Sequence, residues 1–124
     1  MNPKLFLQLA AAGRMSLGAV LLVAPQLAGR IIGNETSTAT ANVVTRVAGV
    51  RDLVVGAGTF RALQSGTDAA DWVTGSALCD LVDSASHAAA INDIPKVRNI
   101  GTIIGAAGFG VAQLKALRDL RASN

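Results

Sequence analysis

Apolar residues fall into four long segments of the chain, separated by short stretches that are polar or contain proline. Within each segment the hydrophobic positions recur with helical spacing, and none shows the sustained alternation of apolar and polar residues that marks a strand. The pattern predicts helices at about residues 3–24, 39–63, 68–91 and 95–120. Because the connections are short, we expect an all-α bundle of four helices with up-down topology, forming one domain over residues 1–124.

Residues typical of helix ends stand at these boundaries. Pro3 and Pro95 occupy the first position of a predicted helix, where the fixed φ of proline is suitable and its missing N–H is not needed. Gly66 closes the second helix. Asp71 falls in the first turn of the third helix, where a carboxylate favours the positive end of the helix dipole. The local signals therefore agree with the hydrophobic pattern.

The composition favours a membrane environment for these helices. Hydrophobic residues make up 51% of the chain, charged residues make up 15%, and the mean hydropathy is +0.45. Soluble domains carry about 25% charged residues. We therefore expect an integral membrane protein whose four helices form a transmembrane bundle, with a soluble apolar bundle as the alternative. The basic residues are scattered and Tyr is absent, which argues against a nucleic-acid partner.

Charged residues inside the predicted spans are the main objection to this interpretation. No uncharged apolar run reaches the roughly 18 residues expected of a spanning helix, and the second segment contains Arg46, Arg51 and Asp52. Each charge would cost about 2.5–3.5 kcal/mol if it faced lipid at the bilayer centre. We therefore expect these side chains to face protein or water inside the bundle.

The distribution of Lys and Arg predicts the orientation in the membrane. The basic residues expected at one end of the bundle are Lys4, Arg61, Lys115, Arg118 and Arg121. Those expected at the opposite end are Arg30, Lys96 and Arg98. Because basic residues accumulate on the cytoplasmic side, both termini are expected to be cytoplasmic.

The third segment carries a stripe of polar residues. Asp80, Asp83, Ser84 and His87 follow one another at i, i+3, i+4 and i+7, which places them on one face of a helix. Ser76 and Trp72 extend the stripe toward the start of the segment, and Trp72 also suits a membrane interface. This face is expected to be hydrated or paired inside the bundle.

The second segment offers a matching face of small and polar residues around Asp52. Its members are Thr45, Gly49, Asp52, Gly56 and Thr59, and the glycines let a neighbouring backbone approach. Arg51 is expected to point about 100° away from this face.

Six charges lie in the middle of the segments, and their signs balance. The positive residues are Arg14, Arg46 and Arg51, and the negative residues are Asp52, Asp80 and Asp83. A neutral buried network is therefore expected. One interpretation is that the pairs only lock the helices in register. The other is that charge of this density inside a membrane marks a site for catalysis, proton transfer or ligand binding.

Metals and cofactors receive little support from the sequence. Asp80, Asp83 and His87 have a spacing that a metal site can use, but the spacing is unspecific and the chain has a single histidine. In the last segment, the glycines at positions 101, 105 and 108 resemble a groove for close helix packing. No strand precedes them, which excludes a dinucleotide-binding turn. We therefore expect no metal and no cofactor.

The stretch from Arg46 to Gly56, with Gly49, Arg51 and Asp52 inside it, followed by Arg61 and a polar third helix, resembles a family of small four-span membrane proteins of unknown function, distantly similar to DoxX-like proteins. The resemblance would cover most of the chain. It implies the four-span fold and leaves the function open.

An acid–base enzyme that acts on a lipophilic small molecule is the favoured functional hypothesis. Epoxide opening by water, isomerisation or cyclisation would suit two carboxyl groups whose protonation states are held apart by an arginine. The candidate catalytic residues are Asp52, Asp80 and Asp83 as acid or base, Arg51 as the orienting cation and His87 as an alternative proton carrier.

The remaining polar residues of these faces are candidates for ligand binding. They are Arg14, Arg46, Trp72, Ser76 and Ser84. Two other functions stay open, namely a small transporter or proton-linked carrier, and a structural or assembly subunit of a larger membrane complex. The expected partners are a lipophilic small molecule and the lipid bilayer, and the protein is compatible with a homo-oligomer.

Overall fold

The computed structural model describes residues 2–27, 38–93 and 96–123. Its long helices are α1 (Pro3–Val23), α2 (Ala39–Ser65), α3 (Ala70–Ala89) and α4 (Lys96–Ala122). The described residues contain no strand, so the all-α class is confirmed. Each of these helices begins and ends within two residues of its predicted bounds.

Side chains at the helix starts satisfy backbone N–H groups that have no partner inside the helix. Asn2 accepts hydrogen bonds from the N–H groups of Lys4 and Leu5. Thr38 does the same at the start of α2. Gly66 ends α2 with a φ of 70°, a left-handed conformation that only glycine adopts without strain. The sequence therefore determines these helix ends locally.

Helices α1 and α2 run antiparallel in close backbone contact through glycine. A Cβ atom placed on Gly18 would lie 2.7 Å from the carbonyl oxygen of Gly49, and one on Gly49 would lie equally close to the Gly18 carbonyl, at 2.7 Å. Further along, a Cβ on Gly56 would lie 2.8 Å from the Ala11 carbonyl. Only glycine fits these contacts, and they place the middle of α1 directly against Asp52.

Helices α3 and α4 form the second antiparallel pair. A Cβ atom on Gly110 would lie 3.1 Å from the Ala77 carbonyl oxygen. Gly101, Gly105 and Gly108 have no such neighbour, since a Cβ on any of them would meet no atom within 4 Å. The prediction that these three glycines form the packing groove of the last helix is therefore wrong for contacts within the described chain.

The interior changes character along the bundle. Near the start of α1, the buried core is apolar and contains Leu7, Ala62, Leu63, Ala69, Ala70, Val73, Ala116 and Leu117. In the middle of the bundle, buried residues are polar or charged instead, and include Arg14, Asp52, Ser76, Asp80 and Gln113. The apolar cluster therefore closes one end and the polar residues fill the centre.

The outer surface, in contrast, is rich in large apolar side chains on all four helices. Two helical segments, Pro3–Val23 and Asn99–Ala122, are long and apolar enough to cross a membrane by length and composition. The apolar sequences of α2 and α3 are interrupted by the charged residues Arg51, Asp52 and Asp80. Asp52 and Asp80 lie buried in the centre of the bundle, and Arg51 lies half-buried at its edge.

Candidate functional site

Arg14 is a buried arginine near the midpoint of α1, with a residue exposure of 7%. Its Nη1 atom donates to Oδ1 of Asp52 on α2 at 2.9 Å. Its Nη2 atom donates to Oδ1 of Asp80 on α3, and lies 3.4 Å from the carbonyl oxygen of Ser76. One guanidinium group therefore bridges two carboxyl groups and ties three helices together.

Arg51 forms a second bridge at the edge of the first. Its Nη1 and Nη2 atoms donate to the two carboxyl oxygens of Asp83 at 2.8 Å and 2.7 Å, which is a bidentate pair. The Nε and Nη2 atoms also donate to Oδ1 of Asp52, at 3.1 Å and 3.0 Å. Arg51 and Asp83 are half-buried, so the network reaches from the enclosed centre to the bundle surface.

Gln113 of α4 completes the network, although the sequence patterns did not single it out. Its Nε2 atom donates to Oδ2 of Asp80 at 2.7 Å. Its Oε1 atom accepts a hydrogen bond from the Ser76 hydroxyl, also at 2.7 Å. The amide thereby holds the Asp80 carboxyl from the side opposite Arg14, and all four helices contribute to the site.

The charges of this network do not balance. Arg14 and Arg51 supply two positive groups, whereas Asp52, Asp80 and Asp83 supply three carboxyl groups. Arg46, which the sequence analysis placed in a neutral set of six charges, is exposed and forms none of these ion pairs. The predicted neutral balance is therefore wrong for the described residues, because Arg46 lies on another face of α2.

The polar stripe predicted on the third helix divides between two neighbours. Asp83 pairs with Arg51 of α2, while His87 turns toward α4. The Nδ1 atom of His87 lies 2.7 Å from Oδ1 of Asn99, and the Asn99 amide nitrogen donates to the His87 carbonyl oxygen at 3.0 Å. The Ser84 hydroxyl donates to a backbone carbonyl of α4. His87 therefore belongs to a separate contact and does not join Asp83.

Trp72 and Arg46 lie apart from the network. The ring of Trp72 packs on Gly58, where a Cβ would come within 2.4 Å of it. Arg46 lines a cleft of about 730 Å³ near the end of α1, together with residues such as Val23 and Val43. None of the predicted catalytic residues lines this cleft. The network itself is closely paired, with its side chains in direct contact.

Two buried amides of α4 were not singled out from the sequence, namely Gln113 of the network and Asn99, the partner of His87. Both are buried, and they are 14 residues apart on α4. A spacing of 14 residues is close to four helical turns, so the two amides share a face. Two amides on one face of an otherwise apolar, glycine-rich helix are the signal that would have predicted a contact with the polar third helix.

The site has no arrangement of metal ligands among the described residues, and the chain matches no known protein in the comparisons. Among the residues that the structure describes, no group of three or more His, Cys, Asp or Glu side chains is arranged to bind a metal ion. Comparisons of the chain with protein-family models, with curated proteins and with solved structures found no match. The resemblance to DoxX-like proteins therefore stays a prediction from the residue pattern.

Proposed function

We propose that the protein spans the membrane with all four helices and carries out acid–base chemistry on a lipophilic small molecule at the centre formed by Arg14, Asp52 and Asp80. One observation carries the proposal: a single buried guanidinium bridges two carboxyl groups from different helices, in a network with fewer guanidinium than carboxyl groups.

The distribution of polar and apolar residues supports the membrane environment. Large apolar side chains lie exposed along the outside, including Leu9 of α1 at 61%, Val54 of α2 at 55% and Ile104 of α4 at 68%. Such a surface is suited to lipid, and a continuous apolar surface of this kind is rare on soluble monomers. Asp52 of α2 and Asp80 of α3 are turned inward, which is how spanning helices accommodate ionisable residues.

The centre also lies at the correct depth for such a protein. Arg14, Asp52 and Asp80 each stand close to the midpoint of their helix. Spanning helices have their midpoints near the bilayer centre, so the charges would sit where a net charge is most costly. A network with one carboxyl group in excess becomes neutral when it holds one proton.

Asp80 is the carboxyl group best placed to hold that proton. Oδ1 of Asp52 accepts three N–H bonds from two guanidinium groups, and Asp83 is bound on both oxygens by Arg51. Asp80 receives one guanidinium and one neutral amide. Because charged donors favour the ionised form, Asp52 is the base and Asp80 the acid.

An epoxide is a suitable substrate for this pair. Asp52 accepts a proton from water, the water oxygen forms a bond to an epoxide carbon, and the bond from that carbon to the ring oxygen breaks. Asp80 gives its proton to the ring oxygen, which leaves a diol, a protonated Asp52 and an ionised Asp80. Proton transfer between the two carboxyl groups resets the centre. The same pair moves one proton in an isomerisation or cyclisation.

The other candidate residues take supporting roles in this proposal. Arg14 is a positioning residue that keeps the two carboxyl groups in different protonation states. Arg51 and Asp83, which are half-buried, lie where a substrate would enter from the surface. His87, in contact with Asn99, stays outside the proposed reaction.

A panel of long-chain epoxides supplied to the protein in proteoliposomes tests the reaction. Asp52→Asn and Asp80→Asn should each lower turnover by about 100-fold or more, the effect of losing a general base or acid. Asp71→Asn, on the exposed side of α3, is the matched control and should keep wild-type turnover. Full turnover in both Asp52→Asn and Asp80→Asn would remove these residues as the acid and base.

Infrared difference spectroscopy tests the proton independently of any substrate. The wild-type protein should show the carbonyl band of a protonated carboxylic acid at neutral pH, and Asp80→Asn should lack it. A wild-type spectrum without this band would contradict the assignment of Asp80 as the acid.

A proton-linked carrier is the second candidate, because the excess carboxyl group also serves a protein that loads and releases one proton. It predicts proton uptake by proteoliposomes without any reactive substrate, measured with an enclosed pH dye. Asp80→Asn should abolish that uptake. Uptake equal to that of empty liposomes would leave the enzyme as the better proposal.

An assembly role is favoured by a different observation, the glycine face of α4. A Cβ atom on Gly101, Gly105 or Gly108 would meet no atom of the described residues within 4 Å, and small residues of this kind allow close contact between spanning helices. A homo-oligomer or a complex with another membrane protein would cover the face. Replacing Gly105 with Leu should then abolish cross-linking between subunits.

A further inference from the structure

A cleft with mixed polar and apolar walls opens between the last turn of α1 and the first turns of α2. Its volume is about 730 Å³, within the range of roughly 300–1,000 Å³ that small-molecule sites occupy. The residues that line it are Val23, Ala24, Pro25, Gln26, Leu27, Ala39, Asn42, Val43 and Arg46. The cleft contains none of the proposed acid–base residues, so a ligand bound there is independent of that reaction.

Among the described residues that line the cleft, Arg46 is the one that carries a charge. It is exposed and has no ion-pair or hydrogen-bond partner among the described residues. Its helix neighbours Val43 and Val47 are exposed and apolar. Arg46 lies seven residues after the first residue of α2, about 10 Å along the helix axis. In a membrane, Arg46 would lie about 9 Å from Asp52 along the axis of α2, and its long side chain would extend from there toward the lipid head groups, where a guanidinium favours an anion.

Asn42 gives a second, independent indication of a ligand-binding position. It lies one helical turn before Arg46 on the same wall of the cleft. Its Oδ1 atom is buried and has no hydrogen-bond partner among residues 2–27, 38–93 and 96–123. Buried polar atoms are nearly always paired, so an exception calls for an explanation. Because the two ends of an amide differ only in assignment, Asn42 can equally present its N–H₂ group to an acceptor at this position.

We propose that this cleft binds the anionic head of a membrane amphiphile. Arg46 and the Asn42 amide would hold the oxygens of a carboxylate or phosphate ester. Val23, Leu27 and Val43, all of which are exposed apolar residues, would contact the hydrocarbon chain. The division between a charged end and an apolar wall favours an amphiphile over a free inorganic ion.

Binding of oleate to the detergent-purified protein, compared with binding of oleyl alcohol, tests the charge requirement. The wild type should bind oleate about ten-fold more tightly, the effect of one charge-assisted hydrogen bond. Arg46→Ala should remove this preference. Arg61→Ala, an exposed arginine on the same helix at the opposite end, is the control and should retain it. Equal binding of oleate by the wild type and Arg46→Ala would overturn the proposal.

The source of the anion is distinguished by three further probes. Phosphatidylglycerol in nanodiscs should be retained by the protein during native mass spectrometry, and phosphatidylcholine should not. Inorganic phosphate should fail to displace oleate, because it lacks the chain. Displacement by inorganic phosphate alone would overturn the amphiphile and leave a simple anion site.

Replacing Asn42 with Leu gives a readout that a general loss of folding cannot mimic. The change removes an unpaired buried polar atom, so the ligand-free protein should unfold at the same or a higher temperature. Oleate affinity should fall all the same. Unchanged oleate affinity in this variant would show that the Asn42 amide does not hold the ligand, and would overturn its part in the site.

Discussion

In the middle of this bundle the interior is charged and the outer surface is apolar, which is the reverse of the arrangement in a water-soluble protein. On α1, Arg14 is buried in ion pairs while Leu9, little more than one turn away, is largely exposed. On α2, Asp52 is buried and Val54 is exposed. Burying charge and exposing hydrocarbon are both unfavourable in water and both acceptable in lipid, provided that the charges are paired. This difference is what the proposed membrane protein requires, namely an outer surface matched to lipid and a centre matched to polar chemistry.

The largest effect is expected from removing the central cation. Arg14→Ala leaves two buried carboxyl groups without their shared partner and should lower the free energy of unfolding by about 3–5 kcal/mol. Leu9→Ala, on the outside of the same helix, should change it little, because lipid replaces the lost contacts. Titration of the detergent-purified variants with sodium dodecyl sulfate measures both. Equal losses of unfolding free energy in the two variants would contradict the difference between a paired polar interior and a lipid-facing exterior of α1.

A charge introduced on the outer surface distinguishes the membrane-protein hypothesis from the soluble-bundle alternative. Val54→Lys puts an ammonium group near the middle of α2 and should disfavour membrane insertion by about 2.5–3.5 kcal/mol. Gln64→Lys, exposed at the end of the same helix, should insert normally. Glycosylation of reporter sites measures insertion. In a soluble bundle both changes would be harmless, so normal behaviour of Val54→Lys would contradict four spanning helices.

The glycine contacts allow the same comparison without any charge. Gly49→Val forces side-chain atoms against the Gly18 carbonyl of α1 and should cost roughly 1–3 kcal/mol in unfolding free energy. Gly105→Val adds the same atoms to open space on α4 and should cost much less. Thermal unfolding in detergent compares the two variants. A monomer equally sensitive to both changes would show that α4 is packed against the chain more closely than the structure has it.

The smallest expected effect concerns an exposed carboxylate in the connection between α2 and α3. The pKa of Asp68 is lowered from 3.8, first by the N–H group of Ala70 and then by the charge of Arg121. A lowered pKa in the folded state adds stability above the unfolded value, and this stability is lost as the pH falls through the folded value. The wild type should therefore melt at a higher temperature than Asp68→Asn at about pH 7, and this difference should shrink as the pH is lowered toward about 3. Arg121→Ala should reduce the difference without removing it.

Helical periodicity predicted part of the site on the second helix correctly and part of it wrongly. The small and polar face predicted for this helix is buried at Gly49, Asp52, Gly56 and Thr59, and its remaining member, Thr45, is partly buried. Arg51 was expected to point about 100° away from Asp52, yet its long side chain reaches back to Asp52 and across to Asp83. Periodicity places a Cβ atom on a face, and a flexible arginine extends well beyond that position.

The partners of Arg14 illustrate what periodicity does not supply. Asp52 and Asp80 lie 38 and 66 residues further along the chain. The sequence contains several carboxylates at similar positions along the predicted helices. Counting charges alone also placed Arg46 in the network, where the structure does not have it. Which carboxylate meets which guanidinium depends on how far each helix is rotated about its axis. That rotation is set by the glycine contacts between α1 and α2, which bring particular faces together.

The sequence by itself determined the all-α class, the helix bounds and the presence of inward polar faces, because capping residues, proline, glycine and hydrophobic spacing act within a few residues of the chain. Only the tertiary structure decided that Arg14 is the central cation, that Gln113 belongs to the site, and that Arg46 and His87 lie outside it. The physical reason is that ion pairs and hydrogen bonds between helices require docked helices. Docking depends on the shapes of two surfaces at once, and no single segment of the sequence contains both.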